Sequence, residues 1–119
     1  MGIELGAGQE RFADIVWANE PVGSGELVKI CAKEFGWKKT TTYTVLRKLC
    51  DKGLLQNVDG TVSSMVSKNE FYSVKSKHII EDSYEGSLPL FIAAFTAGAK
   101  LSQKEIAEIQ DMIDSCKDD

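Results

Sequence analysis

The groups with the clearest chemical use lie in one short stretch, where cationic and hydroxyl side chains occur side by side. Residues 38–48 have the sequence KKTTTYTVLRK. Lysine and arginine neutralise phosphates, and hydroxyl groups hydrogen-bond both phosphate oxygens and the edges of bases. This stretch therefore contains the groups that a nucleic-acid-binding surface requires.

The charge of the chain is unevenly distributed. The net charge is -4, yet residues 29–52 hold seven cations against two acids, which gives +5. The flanking residues 1–28 and 53–119 carry -4 and -5. Phosphate binding requires such a local excess, but a solvated helix face produces the same pattern, so charge alone leaves both interpretations open.

A helix over residues 39–52 is predicted to position these groups. Thr42, Val45, Leu46 and Leu49 form one stripe at helical spacing and should face the core, with Gly53 ending the helix. The other side chains form two outward columns, Thr40, Tyr43 and Arg47, and Thr41, Thr44 and Lys48. Tyr43 has an alternative position over the segment that follows the helix.

The surrounding pattern predicts a mainly α fold with a small β-hairpin wing. Helices over about 8–18 and 24–35 precede the basic helix, and the strands 54–58 and 61–66 flank Asp59-Gly60, a pair suited to a two-residue turn. This is the outline of a winged helix-turn-helix domain, here residues 1–66, whose third helix enters the major groove of DNA. Ser67 with Glu70, and Ser102 with Glu105, form capping boxes that begin two further helices in a helical dimerisation domain over 67–119.

Between those two helices, residues 88–97 form a short and nearly all-apolar helix. Such a helix is too hydrophobic for the surface of a monomer, so we expect it at the centre of a homodimer. The alternative is an intramolecular core beneath the neighbouring helices. The predicted dimerisation residues are Ile80, Tyr84, Leu88, Leu90, Phe91, Ile92, Phe95, Ile106, Ile109 and Ile113.

Other classes of protein fit the residues less well. His78 is the single histidine and has no partner for a catalytic triad, and no glycine-rich phosphate loop follows a strand, so no enzyme is expected. Cys31, Cys50 and Cys116 lack CxxC spacing, so we expect no metal and no cofactor. Reduced thiols are the simple interpretation, and a sensor thiol at Cys116 is the alternative.

The sequence also bears on location and on a rival function. It shows no leader-like start and no apolar segment long enough to span a bilayer, so we expect a cytoplasmic protein without membrane insertion. A winged helix that binds proteins, without sequence-specific DNA binding, is the alternative function. The +5 stretch argues against it.

Several short segments, taken in order from Phe12 to about Lys117, carry a family resemblance. They are Ile15-Val16-Trp17, Pro21-Val22, residues 37–49, Lys52-Gly53-Leu54-Leu55, residues 66–70, Gly86-Ser87-Leu88 and residues 101–106. Together they resemble the penicillinase repressors of the BlaI/MecI family. The resemblance implies a transcriptional repressor that binds a palindromic, double-stranded operator as a homodimer.

The resemblance also implies roles for individual residues, with a recognition helix that begins at Lys38. Thr41, Tyr43 and Thr44 correspond to readers of base edges. The backbone contacts are Lys39, Thr40, Arg47 and Lys48. The hairpin tip at residues 57–64 contains no Lys or Arg, so the helix should dominate recognition.

Two departures from the family pattern concern its control. The Asn-Phe bond whose cleavage induces the penicillinase-type members corresponds here to Ala94-Phe95, which leaves control by a sensor protease open. The copper-responsive relatives carry a C-terminal pair of CxC elements, whereas this chain has only Cys116 there. Copper sensing by that device is therefore not expected.

Overall fold

Helices dominate the structure, a computed structural model that describes residues 3–117. The elements are α1 (Ala7–Asn19), β1 (Val22–Gly23), α2 (Ser24–Phe35), α3 (Lys39–Asp51), β2 (Leu55–Val58), β3 (Thr61–Ser64), α4 (Lys68–Ser83), α5 (Leu88–Gly98) and α6 (Gln103–Cys116). This arrangement confirms the predicted fold class, a winged helix followed by C-terminal helices. The chain divides into an N-terminal unit up to Ser76 and a C-terminal unit from Lys77 onward.

The core of the N-terminal unit lies between the first three helices and the hairpin. In α1, Phe12 and Val16 are four residues apart and are both fully buried, as are Leu27 of α2 and Val62 of β3. Burying a side chain of this size stabilises the fold by about 1.5–3 kcal/mol. Leu46 and Leu49 of α3 belong to the same core, so the polar face of α3 points away from it.

The inward stripe of α3 contains Thr42, Leu46 and Leu49, which are buried, while Val45 is half-buried. This confirms the predicted inward face. The Thr42 hydroxyl donates to the Lys38 carbonyl at 3.3 Å, so its polar group is not left without a partner in the core.

The hairpin forms around the predicted turn. Asp59 and Gly60 have φ values of 50° and 84°, and Val58 pairs with Thr61 across the turn. The predicted strands were slightly too long, because the ladder ends at Leu55 and Ser64. The antiparallel sheet has the order β1-β3-β2, and its two-residue strand β1 was not predicted.

The N-terminal unit extends into α4, past the boundary predicted at Val66. Phe71 is buried, and its ring lies 5.7 Å from the Trp17 ring. The Trp17 indole donates to the Val66 carbonyl at 3.0 Å, and the Lys75 ammonium pairs with the Glu10 carboxylate. The beginning of α4 is therefore held by α1, while the division into two functional domains stays a prediction.

The C-terminal unit contains the end of α4 together with α5 and α6. Gly86, with φ 76°, donates to the Ile80 carbonyl at 3.0 Å and ends α4. Ser87 caps α5, and Ser102 and Glu105 form the predicted capping box of α6. Across residues 77–117 no side chain is buried, so the intramolecular core considered as an alternative is not observed.

Candidate nucleic-acid interface

The outer face of α3 carries almost all of the predicted DNA-binding side chains in exposed positions. These are Lys38, Lys39, Thr40, Thr41, Thr44, Arg47 and Lys48. They are exposed because the inward stripe of α3 is anchored on the core. The two adjacent columns on the other side of the helix, whose members are spaced one turn apart, therefore point outward. Tyr43 is the exception, since it is half-buried.

The N-terminus of α3 is suited to an anion. Lys38 is the N-cap residue in an extended conformation, and no side chain caps the helix. The first turn contains Lys39 and no acid, whereas α1 and α2 carry Glu10 and Glu26 in theirs. Free backbone N–H groups and the helix dipole favour negative charge at such an end, and the two lysines add to this preference.

The Thr44 hydroxyl has a restricted role. It donates to the Thr40 carbonyl one turn earlier at 2.8 Å. Because its only proton is used, the oxygen can act as an acceptor toward the amino group of adenine or cytosine. The Thr44 methyl group remains available to pack against a thymine methyl group.

Tyr43 was predicted to point outward from α3, but its side chain is partly covered. Its hydroxyl lies 3.2 Å from the Ser24 hydroxyl at the start of α2. Tyr43 also lines a cleft of about 280 Å³ between α3 and β2, together with Leu46, Arg47, Cys50 and Asn57. The side chain thus lies beside the hairpin, the alternative that the sequence left open, and it is additionally tied to α2.

Ser24 is a residue of this site that the sequence analysis missed. The sequence marks Ser24 only as a helix start, and the pattern contains no signal that links it with Tyr43. The contact depends on how α2 and α3 pack, which local spacing does not reveal.

The cations of the basic stretch are not equivalent. The Lys52 ammonium donates to the Glu4 carbonyl at 2.7 Å and to the Gln9 side chain at 3.0 Å, so it is held by the segment before α1 and by the first turn of α1. The ion pairs found among residues 3–117 include no cation from residues 29–52. The remaining cations of this stretch therefore keep their charge available for an external anion.

The hairpin contributes little positive charge. Its turn carries the acidic Asp59, and the Gly60 carbonyl accepts a hydrogen bond from the Ser24 backbone N–H at 2.8 Å. The Asn57 side chain accepts from the Gly60 N–H at 3.0 Å. The turn is thus tied to the start of α2.

The predicted dimerisation residues lie on α4, α5 and α6, and the structure leaves most of them uncovered. Exposed positions are Leu88, Leu90, Ile92, Phe95, Ile106 and Ile113, and half-buried positions are Ile80, Tyr84, Phe91 and Ile109. Tyr84 and Phe91 contact each other edge to face at 5.2 Å. Ile79 and Met112 are further exposed apolar residues that the prediction omitted, although Met112 shares the apolar spacing of α6.

The three cysteines differ in exposure, with Cys31 buried, Cys50 half-buried and Cys116 exposed. Burial raises the pKa of the Cys31 thiol, against a smaller opposing effect of a hydrogen bond with Thr42. Burial also raises the pKa of Cys50, and the nearby Asp51 charge adds to the increase. Among residues 3–117 no three potential ligands are grouped to hold a metal ion.

None of the helices in the described part of the chain combines the length and apolar character that crossing a bilayer requires.

Comparison with known proteins gives a sequence match over nearly the whole chain, not over the winged helix alone. The family model described as penicillinase repressor matches residues 5–115. The penicillinase repressor of Bacillus licheniformis is 25% identical over 107 residues, which cover 87% of this chain and 84% of that protein. Because the match includes both the basic helix and the C-terminal helices, the chain belongs to the penicillinase repressor family, whose members are DNA-binding transcriptional repressors.

Proposed function

We propose that this protein represses transcription as a homodimer that binds a palindromic operator, with α3 of each subunit in a major groove. The exposed outer face of α3 is the observation that carries the proposal. This face combines four cations with three threonine hydroxyls, contains no acid between residues 38 and 48, and begins at an uncapped helix N-terminus. Such a surface matches the phosphates and base edges of duplex DNA.

Within this proposal, charge and hydrogen bonding have separate tasks. Lys38, Lys39, Arg47 and Lys48, with the Thr40 hydroxyl, contact the DNA backbone and supply the salt-dependent part of the affinity. Thr41 and Thr44 face the base edges and supply sequence preference.

The C-terminal unit supplies the dimer contact. Leu88 and Phe95 of α5 are 58% and 51% exposed, and α6 adds the exposed Ile106 and Ile113. Large apolar side chains left exposed in such number indicate an association site. A second copy of the chain is the occupant we propose, because a two-fold pair would hold two recognition helices at a fixed separation. Repression follows when the bound dimer covers a promoter.

A sensor protease remains a candidate partner for induction. The Ala94-Phe95 bond lies inside α5, and both side chains are exposed. Cleavage there would divide the apolar helix, separate the two DNA-binding units and release the operator through lost avidity. The cytoplasmic location likewise stays a prediction.

A salt series tests the DNA-binding proposal with a matched pair of variants. Affinity for a random duplex should fall steeply as salt rises, and Arg47→Ala should reduce the slope of log affinity against log salt by about two, one for each subunit of the dimer. Lys52→Ala removes the same charge from the end of the same helix, but its ammonium binds Glu4 and Gln9, so it should leave that slope unchanged. Wild-type affinity that ignores salt would favour the protein-binding alternative.

Selection of preferred duplexes from a random pool tests the homodimer and the proposed contact of Thr44 with a base. A two-fold symmetric consensus is expected, because two identical subunits would contact the two half-sites. Thr44→Ala should relax the preference at one position of each half-site, whereas Thr44→Ser keeps the acceptor oxygen and loses only the methyl contact. An asymmetric consensus would contradict the homodimer.

A further inference from the structure

We propose that Ser24 positions Tyr43 so that the two hydroxyls together contact a DNA backbone phosphate, rather than Tyr43 contacting a base. The inference rests on the proposed DNA-binding function. Its basis is the 3.2 Å contact between the two hydroxyl oxygens, which joins the start of α2 to the exposed face of α3.

Ser24 is itself fixed from two sides. Its backbone N–H donates to the Gly60 carbonyl at 2.8 Å, and the preceding Gly23 pairs with Thr61 in the sheet. A Cβ atom added to Gly60, whose φ is +84°, would lie 3.9 Å from the Ser24 hydroxyl oxygen. The hairpin turn, α2 and α3 therefore meet at this one serine, whose backbone is anchored where its hydroxyl contacts Tyr43.

Tyr43 is restrained in the same way. Its ring is half-buried against the core and lines the cleft with Leu46 and Asn57. A tyrosine has two side-chain torsions, and here packing fixes the ring while Ser24 fixes its hydroxyl. To reach a base edge in the major groove, the Tyr43 hydroxyl would have to leave Ser24 and the ring would lose this packing. The observed position therefore favours a contact with the DNA backbone.

The chemistry of the pair suits a phosphate. Each hydroxyl has one proton and two lone pairs, whereas a phosphate oxygen can only accept. One proton can therefore serve the bond between Ser24 and Tyr43, and the other can be donated to the phosphate. Since both hydroxyls are neutral, this contact releases no counterion and adds nothing to the salt slope.

Ser24→Ala and Tyr43→Phe, each in the full chain, test the inference on a preferred duplex and on a random duplex. Each variant should lower both affinities by the same factor, roughly 10- to 150-fold for each hydrogen bond to a charged group. The salt slope should stay at the wild-type value, unlike that of Arg47→Ala. The double variant should lose no more than either single variant, because the hydroxyls act as one unit.

Two further variants separate positioning from folding. Ser24→Thr keeps the hydroxyl and should restore the affinity. Ser76→Ala removes a serine hydroxyl of α4 that donates to the Tyr72 carbonyl, and it should bind like the wild type. Thermal unfolding of every variant shows whether any affinity loss follows from lost stability.

Several outcomes would overturn the inference. One outcome is that the wild type binds DNA in a salt-dependent way and that Ser24→Ala and Tyr43→Phe each bind with the wild-type affinity. The pair then does not contact DNA, although the proposed function stands. If Tyr43→Phe relaxes the preference at one base pair, Tyr43 is a base reader. If the wild type itself binds no duplex in a salt-dependent way, the proposed function fails first.

Discussion

The two units of this chain treat their apolar side chains in opposite ways. In the N-terminal unit, large residues such as Phe12, Leu27 and Leu49 are fully buried, and the exposed surface of α3 is polar and cationic. In residues 77–117 no side chain is buried, although α5 is the most apolar helix of the chain. Hydrophobic content alone thus does not identify a core, because what matters is whether the chain itself covers the apolar surface.

We infer from this difference that the two units bind different partners. A unit with its own core can present charged groups to DNA without losing stability. A unit that exposes its apolar residues lacks the burial that stabilises a fold, so we infer that a second copy supplies it. The comparison predicts that substitutions in the two units will differ in whether their effects depend on protein concentration.

The largest expected effect follows from Phe95→Asp in α5. A charge on the apolar face should convert dimers to monomers, and operator affinity should fall by about 10²- to 10⁴-fold as avidity is lost. Sedimentation equilibrium and operator titration measure the two consequences. Met65→Asp is the matched control, since Met65 is 60% exposed but lies in the N-terminal unit and should leave the dimer intact. A dimeric Phe95→Asp protein would contradict the assigned interface.

A smaller effect is expected when the self-contained core is altered. Leu49→Ala removes a fully buried side chain and should lower the free energy of unfolding by about 2–5 kcal/mol. The loss should be the same at every protein concentration, as measured by urea unfolding followed through the fluorescence of Trp17 and Trp37.

Ile113→Ala provides the contrast to Leu49→Ala. Ile113 is exposed in the single chain, so its truncation should matter only where dimers form. The difference in stability between Ile113→Ala and the wild type, measured by unfolding followed by circular dichroism, should become smaller as the protein is diluted. A loss that is independent of dilution would mean that the C-terminal unit has a core of its own.

The features that the sequence predicted are those that local chemistry determines. The stripe of α3 follows from helical spacing, the hairpin turn from the tolerance of Asp59 and Gly60 for positive φ, and the start of α6 from its capping box. Each depends on residues a few positions apart, so the pattern is visible without knowing the fold.

The features that the sequence missed depend on long-range packing. Strand β1 exists because Val22 pairs with Val62, and two residues are too few for a periodic signal. The N-terminal unit extends along α4 because Phe71 contacts Trp17. At the candidate site, the exposed threonines and cations were predicted correctly as outward groups, whereas the position of Tyr43 required the packing of α2 on α3.

The capping boxes allow one motif to be compared in both units. Ser67 accepts from the Glu70 N–H, and Ser102 accepts from the Glu105 N–H, each at 3.1 Å. Ser67→Ala and Ser102→Ala should each cost about 1 kcal/mol. Only the Ser102→Ala loss should vary with protein concentration in thermal unfolding by circular dichroism, because α6 belongs to the proposed dimer contact. Identical concentration dependence of the two variants would remove this distinction between the units.

The smallest expected effect is a pH dependence confined to the C-terminal unit. The backbone N–H of Ser102 donates to the Glu105 carboxylate and lowers the pKa of Glu105 below its usual value of 4.5, and the Ser102 hydroxyl adds to the decrease. A carboxyl group whose pKa is lowered by folding stabilises the fold fully above its unfolded pKa, and that stability is lost as pH falls through the folded pKa. Glu105→Gln keeps the acceptor oxygen without the charge. The helix content of this variant should therefore change less than that of the wild type between pH 6 and pH 3, about 1.5 units either side of the usual carboxyl pKa.

Tryptophan fluorescence provides the control for this prediction. Trp17 and Trp37 both lie in the N-terminal unit, so their fluorescence should titrate identically in the two proteins while circular dichroism differs. A fluorescence difference as large as the dichroism difference would show that acid unfolds the chain as one cooperative body.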